Sequence, residues 1–471
     1  MMQADGDHLP LYMHGEALTL PLSLVQKYAT SGPRYTSYPT APEWREVGAD
    51  AYVARLAARA AAKRPLSLYT HIPFCAERCH YCGCNVVITK QTAQAEKYLG
   101  YLLRELEFLA AALPGDRTVM QYHWGGGTPT YFDESQIQRW FDATANVFTI
   151  AADAEIAIES DPRVTSVGQL QRLRRLGFNR ISFGVQSFDP VVQATVNRVQ
   201  PYEMVRDFTA ACRDVGFGAV NFDLIYGLPD QSLAGFLHTL DLTLQLRPDR
   251  IALYNYAHIP AILKHQRRMD GALLPAPLDK VRMFTQAIER FTKNGYRFIG
   301  LDHFALERDE LAVAARGGSL QRNFMGHTTK AGADLLALRV SGISMFDDAY
   351  FQNEKVLIDY YRALDAGRLP VHRGIPLNAD DRLRRDVINH LLCNGVIPKP
   401  ALAAQYGIDF DTHFADQRAA LAGFVADGVL REDKDSIRAT PLGRLFLRNV
   451  AMLFDAYLQR PGGKRTFSKT V

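Results

Sequence analysis

The chain has 471 residues, which is enough for two or three domains with sizeable hydrophobic cores. Apolar residues make up 47% and charged residues 22% of the sequence, a composition typical of globular proteins and unlike that of disordered chains. The formal net charge is only +4, so composition gives no reason to expect nucleic acid as the main partner.

The cysteines and the N-terminus indicate the compartment. No apolar run approaches the length of a membrane span, and residues 1–10 lack the basic-then-apolar order of a signal peptide. Four of the six cysteines lie between residues 75 and 84, which is not the pattern of a secreted disulfide framework. We therefore expect a cytoplasmic protein whose clustered cysteines do metal or redox work. Cys212 and Cys393 lie in apolar-periodic stretches and are predicted to be buried, inert thiols.

The first 62 residues are predicted to form an N-terminal arm. They include Ser31–Thr40 (SGPRYTSYPT), a run rich in turn-forming residues. One interpretation is an ordered linker; the other is that its tyrosines and Arg34 reach into a site. Residue spacing does not decide between the two.

Between residues 63 and 305, β-rich runs alternate with stretches of helical periodicity such as Ala95–Leu113 and Ile137–Phe148. This alternation predicts βαβ units around a parallel sheet, and six or more units predict a TIM-like barrel or partial (β/α)6 barrel rather than a short open sheet. A further run, Tyr296–Leu301, would close or extend the barrel. The six strand runs are Leu66–Ile72, Val119–Trp124, Glu155–Glu159, Arg180–Val185, Ala219–Tyr226 and Ile251–Tyr256.

Residues 306–471 are predicted to form a mainly helical C-terminal domain. Helical patterns cover Ala379–Cys393, Asp416–Asp427 and Leu442–Leu458, with a hairpin at Val429–Thr440. Helix, hairpin and helix in this order resemble a winged helix, which would allow DNA binding. The segment has no concentrated basic stripe, so a lid or packing domain is favoured. Residues 462–465 (Gly-Gly-Lys-Arg) are predicted to be a flexible tail.

Unusual residues follow each of the six predicted strands. Because active sites of parallel β/α barrels are built from loops at the C-terminal ends of the strands, these loops predict one site. They are the cysteine loop, Gly125–Thr130, Ser160–Arg163, Gln186–Phe188, Tyr226–Pro229 and Ala257–Pro260.

The cysteine loop carries the most specific signal. Cys75, Cys79 and Cys82 are spaced C-x3-C-x2-C, and Cys84 follows two residues later. Three thiolates on one loop can hold three corners of a 4Fe–4S cluster and leave the fourth iron open for chemistry. Structural zinc is the alternative, but zinc sites usually add a distant second pair of ligands, and none exists here. Cys84 is interpreted as an extra thiol, because a fourth ligand would close the open iron.

Polar residues at other strand ends could complete the site. Three consecutive glycines, Gly125–Gly127, allow a ligand to approach the backbone closely. Glu159 could bind an ammonium group. Asp223 stands in an apolar alternation and is costly to bury alone, so it needs either a ligand hydroxyl or an ion pair, for example with Arg198. The histidines near strand ends are interpreted first as hydrogen-bonded core residues, with His258 and His303 kept as weaker site candidates.

The cysteine loop, with an aromatic residue directly before its third cysteine, resembles the signature of radical S-adenosylmethionine (SAM) enzymes. Longer segments across nearly the whole chain resemble the oxygen-independent coproporphyrinogen III oxidase family. These segments are Ser31–Thr40, His71–Cys75, Cys82–Asn85, His123–Thr130, Asp223–Pro229, Leu301–Ala305 and Phe467–Lys469.

The resemblance implies a 4Fe–4S cluster whose open iron binds SAM, and a 5′-deoxyadenosyl radical formed when an electron from the cluster cleaves the sulfonium. The implied reaction converts two propionates of coproporphyrinogen III into vinyl groups with release of carbon dioxide, giving protoporphyrinogen IX in heme biosynthesis. The family is known to hold two SAM molecules. The resemblance also implies a reducing electron donor of the flavodoxin or ferredoxin type, no nucleic acid or membrane partner, and a monomer.

By matched position, the resemblance implies roles for particular residues. Glu159 would bind an ammonium, Arg198 a carboxylate, and Asp223 and Gln186 hydroxyls. Arg34 would be a partner for a substrate propionate. The implied cluster ligands are Cys75, Cys79 and Cys82. The implied contacts of the cluster-bound SAM are Tyr69, Gly126, Glu159 and Ile343, and all of these except Gly126 are assigned to the catalytic centre. The implied contacts of the second SAM are Tyr81, Gly127, Thr128, Gln186, Arg198, Asp223 and Ala257.

Three positions depart from the family pattern. Met325 stands where some relatives have glutamine, and Arg339 stands where relatives tend to have glycine, so the backbone near Ile343 is expected to differ. Tyr81 replaces a phenylalanine. The main alternative function is that of a heme chaperone or heme-handling paralogue, which usually lacks the fourth cysteine and the Ser31–Thr40 arm; both are present here. A zinc-stabilised scaffold or DNA-binding protein is the third possibility.

Overall fold

The computed structural model describes residues 7–59, 64–458, 460 and 467–470. The predicted tail at 462–465 and the predicted boundary at 62/63 lie outside these residues. The strands are β1 (His8–Met13), β2 (Glu16–Pro21), β3 (Arg45–Glu46), β4 (Leu66–Ile72), β5 (Phe74–Cys75), β6 (Val87–Ile88), β7 (Thr118–Gly126), β8 (Thr149–Ser160), β9 (Arg180–Gln186), β10 (Ala219–Tyr226), β11 (Arg250–Asn255), β12 (Tyr296–Gly300), β13 (His303–Leu306), β14 (Gln321–Asn323), β15 (Gly326–Thr328), β16 (Asp334–Leu338), β17 (Ile343–Met345), β18 (Ala349–Asn353), β19 (Val371–Pro376), β20 (Val396–Pro398), β21 (Leu430–Glu432) and β22 (Ser436–Ala439). The helices are α1 (Leu22–Tyr28), α2 (Ala49–Ala58), α3 (Ala93–Ala112), α4 (Glu134–Val147), α5 (Val167–Arg175), α6 (Pro190–Thr195), α7 (Tyr202–Asp214), α8 (Leu233–Leu246), α9 (Pro277–Lys293), α10 (Glu310–Gly317), α11 (Leu357–Asp365), α12 (Ala379–Asn394), α13 (Lys399–Tyr406), α14 (Phe410–His413), α15 (Arg418–Ala426) and α16 (Leu447–Leu453).

The chain divides into two compact units, each built from separate stretches of sequence. The barrel unit contains Arg45–Pro275 and Gly332–Pro376, and the second unit contains Met1–Trp44, Ala276–Ala331 and Leu377–Val471. This division differs from the expected domains 1–62, 63–305 and 306–471. The physical reason is strand pairing, because β3 and β16–β19 join the sheet of the barrel unit although they lie outside residues 63–305.

The barrel unit contains the predicted parallel sheet. Strands β4, β7, β8, β9, β10 and β11 lie side by side in chain order, and each pair is parallel. Helices α3, α4, α5, α7 and α8 lie between these strands in the sequence, as βαβ crossovers require. The prediction of a partial (β/α)6 barrel is confirmed, and the C-terminal ends of all six strands lie at one end of the sheet.

A second edge of this sheet comes from the stretch at 332–376, where a mainly helical domain was expected. Strand β16 pairs in parallel with β4, with Leu336 opposite Leu68, and β17, β18, β19 and β3 continue the sheet in antiparallel order. Every residue of β16 and of β18 is buried. The strand that leads into the cysteine loop is therefore flanked on both sides.

Local sequence explains where the crossover helices begin. Asp133 caps α4: its side chain accepts hydrogen bonds from the backbone N–H groups of Ser135 and Gln136, and its own N–H donates to the Gln136 side-chain oxygen. Ser166 and Gln169 form the same capping box at α5. A box of this kind satisfies backbone N–H groups that the first helical turn leaves unpaired. Helix α3 buries Tyr98, Leu99, Leu102 and Leu106 along one face.

The second unit contains the predicted C-terminal helices and hairpin. Helices α12, α15 and α16 and the antiparallel strands β21 and β22 lie within or beside the predicted segments, and β20 adds a third strand to that sheet. The run predicted at Tyr296–Leu301 forms β12, which pairs antiparallel with β13 as a hairpin, with Phe298 opposite Phe304. It is therefore not a further parallel strand. Among the described residues, no helix has the length and apolar character to cross a bilayer.

Candidate active site

The cysteine loop leaves the end of β4 and is closed at its base by a short parallel pair. Phe74 lies opposite Val87, and Cys75 lies opposite Ile88. Inside the loop the Cys82 N–H donates to the Cys79 carbonyl at 3.2 Å. All six cysteines are free thiols, and Cys212 and Cys393 are buried, as predicted. Burial raises the pKa of both of these thiols to about 12, which makes them unreactive.

Each cysteine of the motif has its own surroundings. The Sγ of Cys79 lies 3.7 Å from Arg198 Nη1 and 3.8 Å from Arg163 Nη2. The Sγ of Cys75 lies 3.5 Å from the Thr128 hydroxyl. The Cys84 N–H donates to the Cys82 Sγ at 3.4 Å, and the Cys84 side chain together with this N–H lowers the pKa of Cys82 to about 6. Cys84 thus serves Cys82 as a hydrogen-bond donor.

The cysteine loop fits an iron–sulfur cluster better than a single ion. Across the described ranges, no three His, Cys, Asp or Glu side chains converge so that they could hold one metal ion. A zinc ion needs its ligands within roughly 2.0–2.3 Å of one point, whereas the thiolates of a cluster bind different irons. Two arginines beside Cys79 supply positive charge for a thiolate-rich group.

The glycine run packs against the ends of the first strands, and a side chain would not fit at any of its three positions. A Cβ at Gly125 would lie 2.5 Å from the Tyr69 hydroxyl and 2.7 Å from Glu159 Oε1. At Gly126, where φ is +122°, a Cβ would overlap the His71 ring, and at Gly127 it would lie 2.7 Å from the Phe74 carbonyl. The absence of side chains brings this backbone directly against the base of the cysteine loop.

Tyr69, His123 and Glu159 form one cluster at the mouth of the barrel. Tyr69 and His123 are register partners on β4 and β7, and their rings stack with centroids 5.5 Å apart. Glu159 accepts the Gly126 N–H at Oε2 (2.9 Å), and its Oε1 lies 3.4 Å from His123 Nε2. Ile343, at the start of β17, is buried in the same unit. The glutamate keeps acceptor capacity for a cationic group at Oε1.

Arg198 pairs with Asp161, a residue that sequence reasoning did not single out. Arg198 Nη1 lies 3.1 Å from Asp161 Oδ2, and Arg163 Nη2 lies 2.7 Å from the same oxygen. Burial works against ionisation of this carboxyl, but the two arginines outweigh it and lower the pKa of Asp161 to about 2. Nε and Nη2 of Arg198 both donate to the Gly184 carbonyl. The only sequence signal was the position of Asp161 directly after β8.

Asp223 does not form the ion pair that was considered for it. Within the described part of the chain, no group forms a hydrogen bond with its carboxylate, and burial followed by repulsion from Glu159 raises its pKa to about 7. On the neighbouring strand, the buried Oε1 of Gln186 also has no hydrogen-bond partner among those residues. Gln186 has a positive φ of +65°, and a register shift beside it brings it opposite Leu224. Two neighbouring polar groups without partners suit ligand hydroxyls, such as those of a ribose.

Tyr81 and Ala257 are brought together by a glutamine that sequence reasoning missed. The Gln266 side-chain amide donates to the Tyr81 carbonyl at 3.4 Å and to the Ala257 carbonyl at 3.2 Å. Beside it, His265 Nε2 lies 2.7 Å from the Cys82 carbonyl. Tyr81 packs against the apolar cluster of Val192, Val196, Ile225, Leu228, Tyr256 and Met269. The segment after β11 therefore supports the cysteine loop through Gln266 and His265, two residues that the sequence did not single out.

Three other singled-out residues have partners of their own. Arg34 belongs to the second unit, where its Nη1 lies 2.6 Å from Asp302 in the Leu301–Ala305 segment. Met325 belongs to that unit too, and its N–H donates to Asn323 at 2.8 Å. In the barrel unit, His258 Nδ1 lies 3.0 Å from the Tyr256 hydroxyl.

Comparison with known proteins identifies the class first. Residues 69–243 match the model of the radical SAM superfamily, and residues 377–446 match the model of the HemN C-terminal domain. These matches indicate a radical SAM enzyme, a class that implies a 4Fe–4S cluster and SAM.

Full-length relatives define the family more closely. Oxygen-independent coproporphyrinogen III oxidase of Salmonella typhimurium is 45% identical over 98% of this chain and 100% of the relative. The Escherichia coli enzyme is 45% identical over 96% of this chain and 98% of its own length. The solved structure of coproporphyrinogen III oxidase (HemN) from E. coli, a radical SAM enzyme, superposes with a TM-score of 0.88 at 44% identity, covering 93% of this chain and 98% of the other. The chain belongs to the oxygen-independent coproporphyrinogen III oxidase family.

Proposed function

We propose that this protein converts two propionate side chains of coproporphyrinogen III into vinyl groups without oxygen, giving protoporphyrinogen IX in heme biosynthesis. The observation that carries the proposal is the convergence of the cysteine loop, the glycine run, Glu159 and the Asp161–Arg198 pair at one end of a sheet of this family. When bound, the cluster would supply the electron that cleaves SAM to methionine and a 5′-deoxyadenosyl radical able to remove a hydrogen atom from the propionate. The substrate radical would then lose carbon dioxide and pass one electron to an acceptor outside this chain, which leaves the vinyl group.

The residues of this chain hold and orient the reactants. Cys75, Cys79 and Cys82 hold the cluster, and Arg163 and Arg198 offset the negative charge of the Cys79 thiolate. Glu159 binds the ammonium of the cluster-bound SAM, while its Oε2 accepts the Gly126 N–H and its Oε1 lies near His123 Nε2. Tyr69, Gly126 and Ile343 complete that binding site.

A second SAM molecule is part of the proposal. It is supported by Asp223 and Gln186, whose acceptor oxygens have no hydrogen-bond partner among the described residues and therefore await hydroxyl donors. Arg198 already donates to Asp161, to Cys79 and twice to Gly184, so a ligand carboxylate would use its remaining Nη2 hydrogen. The other proposed contacts are Tyr81, Gly127, Thr128 and Ala257.

The remaining parts of the proposal concern partners and location. A flavodoxin- or ferredoxin-type protein donates electrons where the cysteine loop is exposed, at Gly83, Cys84 and Asn85. The enzyme works as a monomer in the cytoplasm, a location supported by six free thiols.

Anaerobic reconstitution followed by product analysis tests this function. We expect protoporphyrinogen IX and 5′-deoxyadenosine to form from coproporphyrinogen III, SAM and a low-potential reductant. A Cys79→Ala protein is the matched control and should form neither product. Tight heme binding by the reconstituted protein without any decarboxylation would instead identify a heme-handling paralogue.

A further inference from the structure

Arg339 places a guanidinium group beside Tyr69, in the turn between β16 and β17. Its Cζ lies 4.2 Å from the centroid of the Tyr69 ring, and its Nη1 lies 2.7 Å from His71 Nδ1. The Tyr69 hydroxyl and Glu159 Oε1 both lie beside Gly125, where a Cβ would be 2.5 Å from the first and 2.7 Å from the second. Arg339 thus brings a positive charge to the mouth that contains the acidic Glu159 and Asp223.

The histidine fixes the direction in which this guanidinium points. His71 Nε2 lies 2.9 Å from the Asn85 carbonyl, which can only accept a hydrogen bond, whereas the guanidinium can only donate one. His71 must therefore be neutral, with its hydrogen on Nε2 and its Nδ1 accepting from Arg339. Because the ring is held from both sides and lies against Gly126, Nη1 of Arg339 is held in place as well.

The backbone and the aliphatic stem of Arg339 are equally constrained. The Arg339 carbonyl accepts the Asn353 side-chain amide at 2.8 Å, and the same amide lies 2.6 Å from buried Glu105. A Cβ at Gly342 would lie 2.7 Å from Arg339 Cγ, so the glycine leaves room for the stem. The position of the cation is therefore built into the fold.

One edge of the guanidinium lacks an acceptor. The Nε of Arg339 is buried and has no hydrogen-bond partner within the described residues, and none of them accepts from Nη2. The Nε–Nη2 edge is a planar fork of two N–H groups, the geometry that binds a carboxylate with two parallel hydrogen bonds. A buried N–H of a cation is costly to leave unpaired, which indicates that the missing acceptor belongs to a ligand.

We propose that the Nε–Nη2 edge of Arg339 binds a carboxylate of a bound reactant, either the carboxylate of SAM or a propionate of the tetrapyrrole. The inference rests on the proposed function and adds a binding residue to it. Nη1 remains on His71, so the fork is already oriented when the ligand arrives.

The test measures dissociation constants on cluster-reconstituted protein for two matched pairs of ligands. The first pair is SAM and decarboxylated SAM; the second is coproporphyrin III and its tetramethyl ester. In an Arg339→Gln protein we expect the carboxylate-bearing member of one pair to bind about 10–100-fold more weakly, with its carboxylate-free partner unchanged. The affected pair identifies the source of the carboxylate.

Controls separate this inference from the proposed function. Arg362→Gln, which removes an exposed arginine on α11, should leave all four constants unchanged. Wild-type protein that binds neither SAM nor coproporphyrin would contradict the proposed function itself. Wild-type binding of both, with all four constants within twofold in Arg339→Gln, would overturn only the role of Arg339.

Iron and sulfide content shows whether the Arg339→Gln protein assembles the cluster. If it does not, a second variant, Arg339→Lys, tests the same proposal. Arg339→Lys keeps the charge but lacks the planar fork, so we expect a loss of roughly 3–10-fold for the same carboxylate ligand. Unchanged binding of both carboxylate ligands by the lysine variant would overturn the proposal.

Discussion

Cys79 and Cys84 are neighbours in the same loop, yet their surroundings differ. Cys79 is buried against two arginines, whereas Cys84 is exposed and donates to Cys82. We predict that Cys79→Ala abolishes cluster assembly and that Cys84→Ala leaves a cluster in place. Iron and sulfide counts after anaerobic reconstitution measure this directly. Loss of the cluster in both variants would make Cys84 a ligand.

The negative charge of Asp161 pairs with two arginines, the half-buried Arg163 and the buried Arg198. Its removal should therefore strongly lower the free energy of unfolding. Breaking a buried ion pair on one side typically costs about 3–5 kcal/mol in the free energy of unfolding, and we expect Asp161→Asn to fall in this range. Because its pKa is lowered to about 2, Asp161 contributes stability above its ordinary pKa near 4, which is lost only as pH falls through 2. The difference from wild type should therefore be constant between pH 6 and 8 in urea unfolding.

Asp365 provides the matched control, since it is exposed and pairs with Arg104 on the surface. Asp365→Asn should change the free energy of unfolding by no more than about 1 kcal/mol. Equal effects of the two substitutions would mean that the Asp161 pairs are not structural.

Asp223 should make stability depend on pH in the opposite sense. Its pKa rises to about 7 in the folded protein through burial and Glu159, while Arg198 and His123 act against the rise. A group with a raised folded pKa stabilises the fold below its unfolded pKa and loses that contribution as pH rises through 7. We predict that Asp223→Asn removes this loss. At pH 8 the melting temperature of the variant should exceed that of wild type by about 2–4 °C for each kcal/mol of unfolding free energy that is regained, and at pH 5 the difference should be smaller.

A ligand that donates hydrogen bonds from its hydroxyl groups to Asp223 should lower the pKa of this residue, since it stabilises the carboxylate form. Saturating SAM should therefore reduce the difference between the two proteins at pH 8. Identical melting curves at both pH values, with and without SAM, would contradict the predicted titration.

At the scale of elements, the effect of an alanine in the glycine run can be compared with the effect of an alanine in helix α3. A Cβ at Gly127 would lie 2.7–2.8 Å from backbone atoms of Pro73 and Phe74, which cannot move without shifting the cysteine loop. We predict that Gly127→Ala lowers SAM affinity or cluster content at least about 10-fold, because backbone overlap displaces the site by a few tenths of an ångström. Equilibrium dialysis and iron analysis measure the two quantities.

Gly100 lies in α3 and is exposed, and a Cβ at this position would meet no other atom within 4 Å. Gly100→Ala should raise the free energy of unfolding by about 0.5–1 kcal/mol, since alanine favours a helix interior. If both alanines are tolerated alike, close packing at Gly127 is not what the site requires.

The six parallel strands could be predicted because each is an apolar run followed by a helix of clear periodicity, a local signal. Strand β16 could not, because its partner β4 lies far away in the sequence and pairing at that distance leaves no local trace. The extended conformation of Tyr296–Leu301 was predictable, but local sequence does not specify whether a strand pairs in parallel or as a hairpin. Pairing partners therefore had to come from the structure.

The same limit applies to the site. The cysteine spacing and the glycine run were visible because they are contiguous. Glu159 and Asp223 were visible as polar residues at strand ends, with Arg198 as a possible partner of Asp223, and the resemblance assigned their ligand contacts. Asp161, Gln266 and the fork of Arg339 were not predictable, since each acts through a partner on another element. The spacing of residues in the sequence does not reveal roles that depend on a contact between distant elements.

At the scale of the whole molecule, each unit is assembled from separate stretches of the chain. The barrel unit takes Gly332–Pro376 from beyond a stretch that belongs to the second unit. We predict that a chain truncated after residue 331 exposes an open edge of β4 and aggregates, because unpaired edge strands template association. Light scattering of the refolded fragment beside the full chain would test this; a monodisperse fragment would contradict it.

The pairing of β4 with β16 has a consequence for biosynthesis. The strand that leads into the cysteine loop acquires its second neighbour only after the ribosome has added residues 334–338, more than 250 positions after Cys75. Since domains generally fold as units during synthesis, the iron-binding end of the sheet remains incomplete through most of translation. The iron-binding end of the sheet is thereby completed only when more than two thirds of the chain has been made, long after the cysteines have been added.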